Sequence, residues 1–259
     1  ANIVMGRFLY ALKQEADYEI ISYEGGQKDN AITREAICEI LVAREDVEAV
    51  KASAAKAEDG LREEYAGTDG NITVQITEEG HAETDVLHPT SREKVLFYLV
   101  QIPFGIQKMS GNIEGLVETS TNIGIVKLSD DEFFARSSVR SSVEVARDAL
   151  SDKIQYLTEF LGGEYEIQGA YPAWEYRKDS PLRDKMVSVY EEMYGQKPEV
   201  VAIHAGLECG LFYKKIEGLD CVSLGPNMKD IHTSEEVLDI ASTERVWNYL
   251  VKVLEQLKD

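Results

Sequence analysis

"YEIISYEGG", residues 18–26, alternates apolar and polar side chains and then breaks at paired glycines. Such alternation marks a half-buried strand with one apolar face to cover. Just before it, residues 2–12 place Ile3, Val4, Phe8, Leu9 and Leu12 at helical spacing. After it come a second strand, "NAITREAICEILV" (30–42), an alanine-rich helix over 46–65 and a third strand, "NITVQIT" (71–77). Beyond a linker at 78–91 the order returns. A helix at about 91–102 leads to the strands "VETSTNIGIVKLS" (117–129) and "EFFARSSVRSS" (132–142), the helix "VEVARDALSDKIQYLTEFLG" (143–162) and the strand "YEIQGAY" (165–171). The unit helix–strand–strand–helix–strand therefore occurs twice. It predicts an antiparallel sheet with helices on one face, the two units joining edge to edge so that each hides an edge of the other.

From about 172 the pattern changes. "SPLRDKMVSVYEEMYG" (180–195) opens with Ser180 as N-cap and Pro181 at the first helical position, and stops at Gly195. "EVVAIHA" (199–205) and "DCVSLGP" (220–226) are continuous apolar runs, as in strands buried on both faces, and an amphipathic helix closes the chain over 234–257. Helix alternating with buried strand predicts a parallel α/β sheet. Two strands are too few to complete one. The expected fold is an α+β domain, 1–171, followed by the C-terminal part, 172–259, of an α/β domain whose front is absent.

The 259 residues are 44% hydrophobic and 29% charged, which fits a globular chain with a sizeable core. No run approaches the about 18 apolar residues that span a bilayer, and residues 1–12 do not read as a signal peptide. The sequence opens at Ala1 without an initiator methionine, which reads as a processed end, a tag scar or a cut within a longer protein. A formal charge of −20 repels phosphate backbones and anionic lipids, so neither nucleic acid nor membrane is an expected partner. It suits a cytoplasmic protein. The cysteines Cys38, Cys209 and Cys221 are odd in number and lack a C-x-x-C spacing, so they read as buried thiols of a reducing compartment.

Among the four histidines, His232 has the best metal credentials: it lies in the polar loop after "DCVSLGP", where ligands of open α/β sheets gather. A plain loop histidine is the competing reading. His204 stands five residues before Cys209, but a strand-to-helix turn does not bring that spacing face to face, and Cys209 reads as structural. Gly206 and Gly210 let the turn run tight. His81 and His88 lie in the acidic linker and read as solvated. "EGGQKDN" (24–30) is a hairpin connection by composition. Arg140 sits among serines in the apparent interior of a strand, where it needs an anionic partner, a side chain or a ligand carboxylate.

Five blocks, "GGQKDNAITREA" (25–36), "VETSTNIGIV" (117–126), "GAYPAWEY" (169–176), "IHAGLECGLF" (203–212) and "SLGPNMKDIHTSEE" (223–236), resemble consecutive blocks of the aminoacyl-histidine dipeptidases, the carnosine-cleaving Xaa-His dipeptidases. They occur in that family's order, and the resemblance covers essentially the whole chain. It implies a two-metal peptidase domain interrupted by a lid of two fused α+β units. Residues 1–171 correspond to the lid, with a dimerisation role, and 172–259 to the return into the catalytic domain. It implies zinc as cofactor, with manganese or cobalt possible, a small dipeptide substrate and a homodimer.

By the same resemblance, His232 corresponds to a metal-ligand histidine. Arg140 and Asn30 correspond to the lid residues that hold the dipeptide, and Gly206 and Glu208 to the "GLECG" turn lining the pocket. The general base and most metal ligands are expected upstream of Ala1, so no catalytic acid or base is assigned here, and the chain alone is expected to be inactive. A non-catalytic binding or dimerisation module is the alternative reading.

Overall fold

The computed structural model describes residues 1–129, 132–202, 207–231 and 233–258. The chain divides into two compact units. The first comprises Ala1–Lys108, Thr119–Arg140 and Ala146–Glu166; the second comprises Met109–Glu118, Ser141–Val145 and the chain from Ile167 onward.

The first unit follows the expected repeat only in part: each half has its two helices and the strand pair between them, but neither has the closing strand. Helix α1 (Asn2–Leu12), strands β1 (Tyr18–Gly25) and β2 (Ala36–Val42) and helix α2 (Val47–Glu64) form the first half. Helix α3 (Pro89–Gln101), strands β3 (Gly105–Met109), β4 (Val117–Leu128) and β5 (Phe133–Ser141) and helix α4 (Glu144–Phe160) follow. The five strands share one sheet, ordered β2-β1-β4-β3 with β5 also paired to β4. The halves meet where β1 runs antiparallel to β4, Tyr23 opposite Leu128 and Gly25 opposite Val126. Each strand thereby covers an edge that the other would leave open.

Strand β1 shows how the sequence pattern becomes packing. The register to β2 slips between Ile20 and Ser22, leaving Ile21 as the extra residue of a bulge. Because side chains alternate with a period of two, one inserted residue moves the inward face from even to odd positions. Tyr18 and Ile20 face the core before the bulge, and Tyr23 and Gly25 after it. Phe8, Leu9 and Leu12 of α1, Leu96 and Leu99 of α3, and Ile123 and Val126 of β4 complete this core.

Two expected strands are absent. Residues 71–77 and 165–171 carry no ladder. In the former, the Val74 N–H donates to the Glu58 carboxylate at 2.7 Å, a local partner that replaces a neighbouring strand. Strand β3, unanticipated, fills a position on β4 instead. Helix α3 starts two residues earlier than its apolar spacing indicates, because His88 caps it: Nδ1 accepts from the Thr90 N–H at 3.2 Å, and Pro89 occupies the first turn.

In the second unit, helices α5 (Pro181–Tyr194), α6 (Glu208–Lys215) and α7 (Ile240–Gln256) appear with the short antiparallel pair β6 (Met228–Lys229) and β7 (Val237–Leu238). Ser180 caps α5 as expected, accepting from the Arg183 N–H at 3.1 Å, and Gly195 ends it in the left-handed region. Met186 and Val189 of α5 pack on Tyr249 and Val253 of α7, whose Tyr249 hydroxyl donates to the Met186 carbonyl at 2.7 Å.

The parallel sheet expected over 172–259 is not formed among the described residues. Segment 199–202 and segment 220–226 are irregular, and Val200 and Val201 are exposed. A strand persists only through partners on its edges, and none of the described segments supplies one. The remainder of "EVVAIHA", residues 203–205, lies outside the described residues.

Candidate functional site

Asn30 sits exposed at the tip of the connection between β1 and β2. The backbone beneath it is tightly held. Gly26 has φ +81°, and a Cβ there would lie 1.9 Å from the Gly124 carbonyl oxygen. A Cβ on Gly124 would in turn lie 2.4 Å from the Asp29 carbonyl oxygen and 2.5 Å from that of Lys28. Only glycine on each side lets the loop rest against β4. The Asn122 amide donates to the Ala31 carbonyl at 2.6 Å, and the Thr33 hydroxyl to the Gly124 carbonyl at 2.8 Å.

Asn2, buried on the core face of α1, completes the clamp. Its amide nitrogen reaches the carbonyls of Gly25 (3.3 Å) and Ile123 (3.2 Å) and the Thr33 hydroxyl (3.3 Å), while its oxygen accepts from the Tyr23 hydroxyl at 3.2 Å. Sequence reasoning missed this hub. The signal was available, since Asn2 precedes Gly6 and Leu9 at i+4 and i+7, a polar residue on a core stripe.

Arg140 is half-buried in β5, at its penultimate position rather than in the strand's interior. Its Nε lies 3.5 Å from the Ser138 Oγ, and among the described residues it makes no ion pair. A guanidinium partly withdrawn from water without a carboxylate partner is poised for an anion. The structure places Arg140 and Asn30 in the same unit.

Glu208 lies in the second unit as the first residue of α6, exposed and favourably placed against the helix dipole. Two residues on, Gly210 is buried. A Cβ there would stand 2.8 Å from the Pro172 carbonyl oxygen, so the "GLECG" and "GAYPAWEY" blocks pack on each other through a position only glycine fills. Gly206, His204 and His232, named from the sequence, lie outside the described residues. His81 is exposed in the linker, and His88 serves as a helix cap.

Asp220 is a second group the sequence did not single out. Burial alone would push its carboxyl up, but the Ser180 hydroxyl (2.7 Å), the Leu182 N–H (3.0 Å) and the charges of Arg177 and Arg183 together hold it below its ordinary range. Ser180 thus accepts from the helix and donates to Asp220, tying the 220–222 segment to the start of α5.

No group of three or more His, Cys, Asp or Glu side chains able to hold a metal is found among the described residues. The described donor set therefore does not by itself fit a metal centre. No helix among the described residues is long and apolar enough to cross a membrane.

An antiparallel five-stranded sheet flanked by helices, carrying a glycine-clamped turn and a half-buried arginine, defines an α+β module. The model of the peptidase family M20/M25/M40 matches residues 5–256, and the chain belongs to that family. It is 30% identical over 257 residues to the cytosol non-specific dipeptidase of Escherichia coli strain K12, covering 99% of this chain and 53% of that protein. The crystal structure of aminoacylhistidine dipeptidase from Vibrio alginolyticus superimposes with a TM-score of 0.90 at 32% identity, over 99% of this chain and 52% of that one. The chain thus spans about half the length of the relatives it matches.

Proposed function

We propose that this chain is the substrate-holding portion of a metal-dependent dipeptidase that hydrolyses Xaa-His dipeptides such as carnosine. Residues 1–171 act as the lid and dimerisation domain of a cytoplasmic homodimer, and 172–259 as the C-terminal segment of the catalytic domain. Arg140 receives the substrate carboxylate, Asn30 its polar backbone atoms, and Glu208 with Gly206 lines the pocket. His232 is the one metal ligand assigned to this chain, with zinc the expected ion. Zinc at such a centre would polarise the scissile carbonyl and acidify a water.

The observation that carries this reading is Arg140, half-buried and without an ion-pair partner among the described residues, in a chain of the M20 family. The names of the two relatives differ on specificity, one non-specific and one aminoacylhistidine. Zinc-supplemented protein that includes the sequence preceding Ala1 is assayed against dipeptides sharing one N-terminal residue and ending in His, Leu, Ala or Gly. Preferred cleavage of the His-terminated member is expected; equal rates on all four would reassign the specificity, and no cleavage of any would remove the enzymatic reading. The lack of a converging metal-ligand group among the described residues favours, as a second reading, a non-catalytic binding module. The same assay decides between them.

A further inference from the structure

Cys209 and Cys221 stand twelve residues apart, with no C-x-x-C spacing to mark them as a pair. The structure brings them together. The Cys221 thiol donates to the Cys209 carbonyl at 3.9 Å, and the Cys209 side chain lies within hydrogen-bonding reach of the Cys221 sulfur. Both are free and half-buried, so a small oxidant can reach them. The Trp174 side chain lies close to Cys221. Trp174 belongs to the segment that packs over Gly210, so the thiol pair sits beneath the junction of two motif blocks.

We infer that Cys209 and Cys221 form a reversible thiol–disulfide pair, oxidised by hydroperoxides, which locks the first turn of α6 to the 220–222 segment. In the first step one thiolate attacks the peroxide O–O bond. The sulfur becomes a sulfenic acid, and the peroxide leaves as water or an alcohol. In the second step the other thiol attacks the sulfenic sulfur, the S–S bond forms, and the hydroxyl leaves with a proton as water. Two thiols are oxidised by two electrons, and one peroxide is reduced by two. A dithiol reductant reverses the change.

The anchoring on each side gives the bond its consequence. Cys221 follows Asp220, which is held by Ser180 and the Leu182 N–H at the start of α5. Cys209 lies in the first turn of α6, between Glu208 and the close-packed Gly210. The disulfide therefore fixes the turn at Glu208 against α5, where the reduced chain holds it by packing and the weak Cys221 thiol contact to the Cys209 carbonyl. Burial and the neighbouring Cys209 push the Cys221 thiol up, which keeps its thiolate fraction low.

Cys38 provides an internal control, since burial pushes its thiol up to about 12 and it lies in the first unit. The native protein is treated with hydrogen peroxide, unfolded, alkylated and mapped by mass spectrometry. The expected product is a cross-linked peptide joining Cys209 to Cys221, lighter by two hydrogens, with Cys38 still alkylated and full recovery of three alkylated thiols after dithiothreitol. In Cys221→Ser and, separately, Cys209→Ser, the remaining thiol of the pair should accumulate sulfenic acid that dimedone traps. Over-oxidation to sulfinic acid without a cross-link, a disulfide to Cys38, or one between chains would overturn the pairing. The mapping of the unaltered protein decides the matter even if a serine variant fails to fold.

Discussion

The Gly26 and Gly124 backbones meet so closely that a Cβ on Gly26 would lie 1.9 Å from the Gly124 carbonyl oxygen. This contact fixes the turn carrying Asn30 onto β4, and it ties the local geometry of a loop to a long-range strand position. Gly124→Ala should destabilise the protein by about 1–3 kcal/mol, because its Cβ would collide with the carbonyls of Lys28 and Asp29 rather than with a flexible side chain. Gly60→Ala, inside α2 with open space around the added methyl group, should instead stabilise it by about 0.5–1 kcal/mol. Urea unfolding of the two variants checks the opposite signs. A stable Gly124→Ala protein would mean the loop shifts freely.

Asn2 should behave as a hub and not as a sum of contacts. Asn2→Ala leaves the Gly25 and Ile123 carbonyls short of a donor in a buried site, at a cost of about 1–3 kcal/mol. Tyr23→Phe should cost about 0.5–1.5 kcal/mol by removing the hydroxyl that donates to Asn2. Once Asn2 is gone, the second substitution should cost less, and a double-mutant cycle measures that coupling. Strict additivity would show that the Tyr23 hydroxyl and Asn2 act independently.

Much of the first unit was legible because each strand carries its own alternation and its partners lie within the chain. Tyr18, Ile20 and Tyr23 marked β1 as half-buried, and the duplicated order anticipated an edge-to-edge joining of the two halves, though not that β1 and β4 form it. The bulge at Ile21 was not legible, since a one-residue register slip leaves no trace in composition. Segments 199–202 and 220–226 read as buried strands on hydrophobicity alone. Hydrophobicity records the surroundings a segment suits, whereas a strand also needs an edge to bond to. Of the candidate site, Asn30 was singled out through motif resemblance alone, and Arg140 first by its place among serines in a strand. The Cys209–Cys221 contact was invisible because the distance depends on how α6 packs.

Asp220 sets an expectation for pH. Its folded-state carboxyl is depressed relative to the unfolded chain, so its contribution is present above the unfolded value of about 3.9 and is lost as pH falls through the folded one. Asp220→Asn loses the charge and keeps a single acceptor oxygen, so it can serve only one of the Ser180 and Leu182 donors. The stability gap between the two proteins should be constant from pH 5 to 7 and shrink below about pH 4. Thermal unfolding of both across that range tests this. A gap that widened with acid would show that the carboxylate is not favoured by folding.

Arg140 gives the sharpest test of the proposed substrate pose. A guanidinium grips a carboxylate with two parallel N–H donors, whereas an ammonium offers only a point charge. In the full dipeptidase proposed above, Arg140→Lys should therefore lower kcat/KM by about ten- to a hundredfold, the equivalent of losing a charge-assisted hydrogen bond. The half-buried position at the end of β5, with Ser138 its one hydrogen-bond partner among the described residues, predicts little change in thermal stability. A general structural role would depress activity on every substrate. A carboxylate-binding role would not: on a dipeptide amide, which lacks the carboxylate, parent and variant should cleave at similar rates. The decisive comparison is thus the ratio of free-acid to amide turnover in each protein. If Arg140→Lys lowered both substrates equally, the arginine would be holding the strand end and not the ligand.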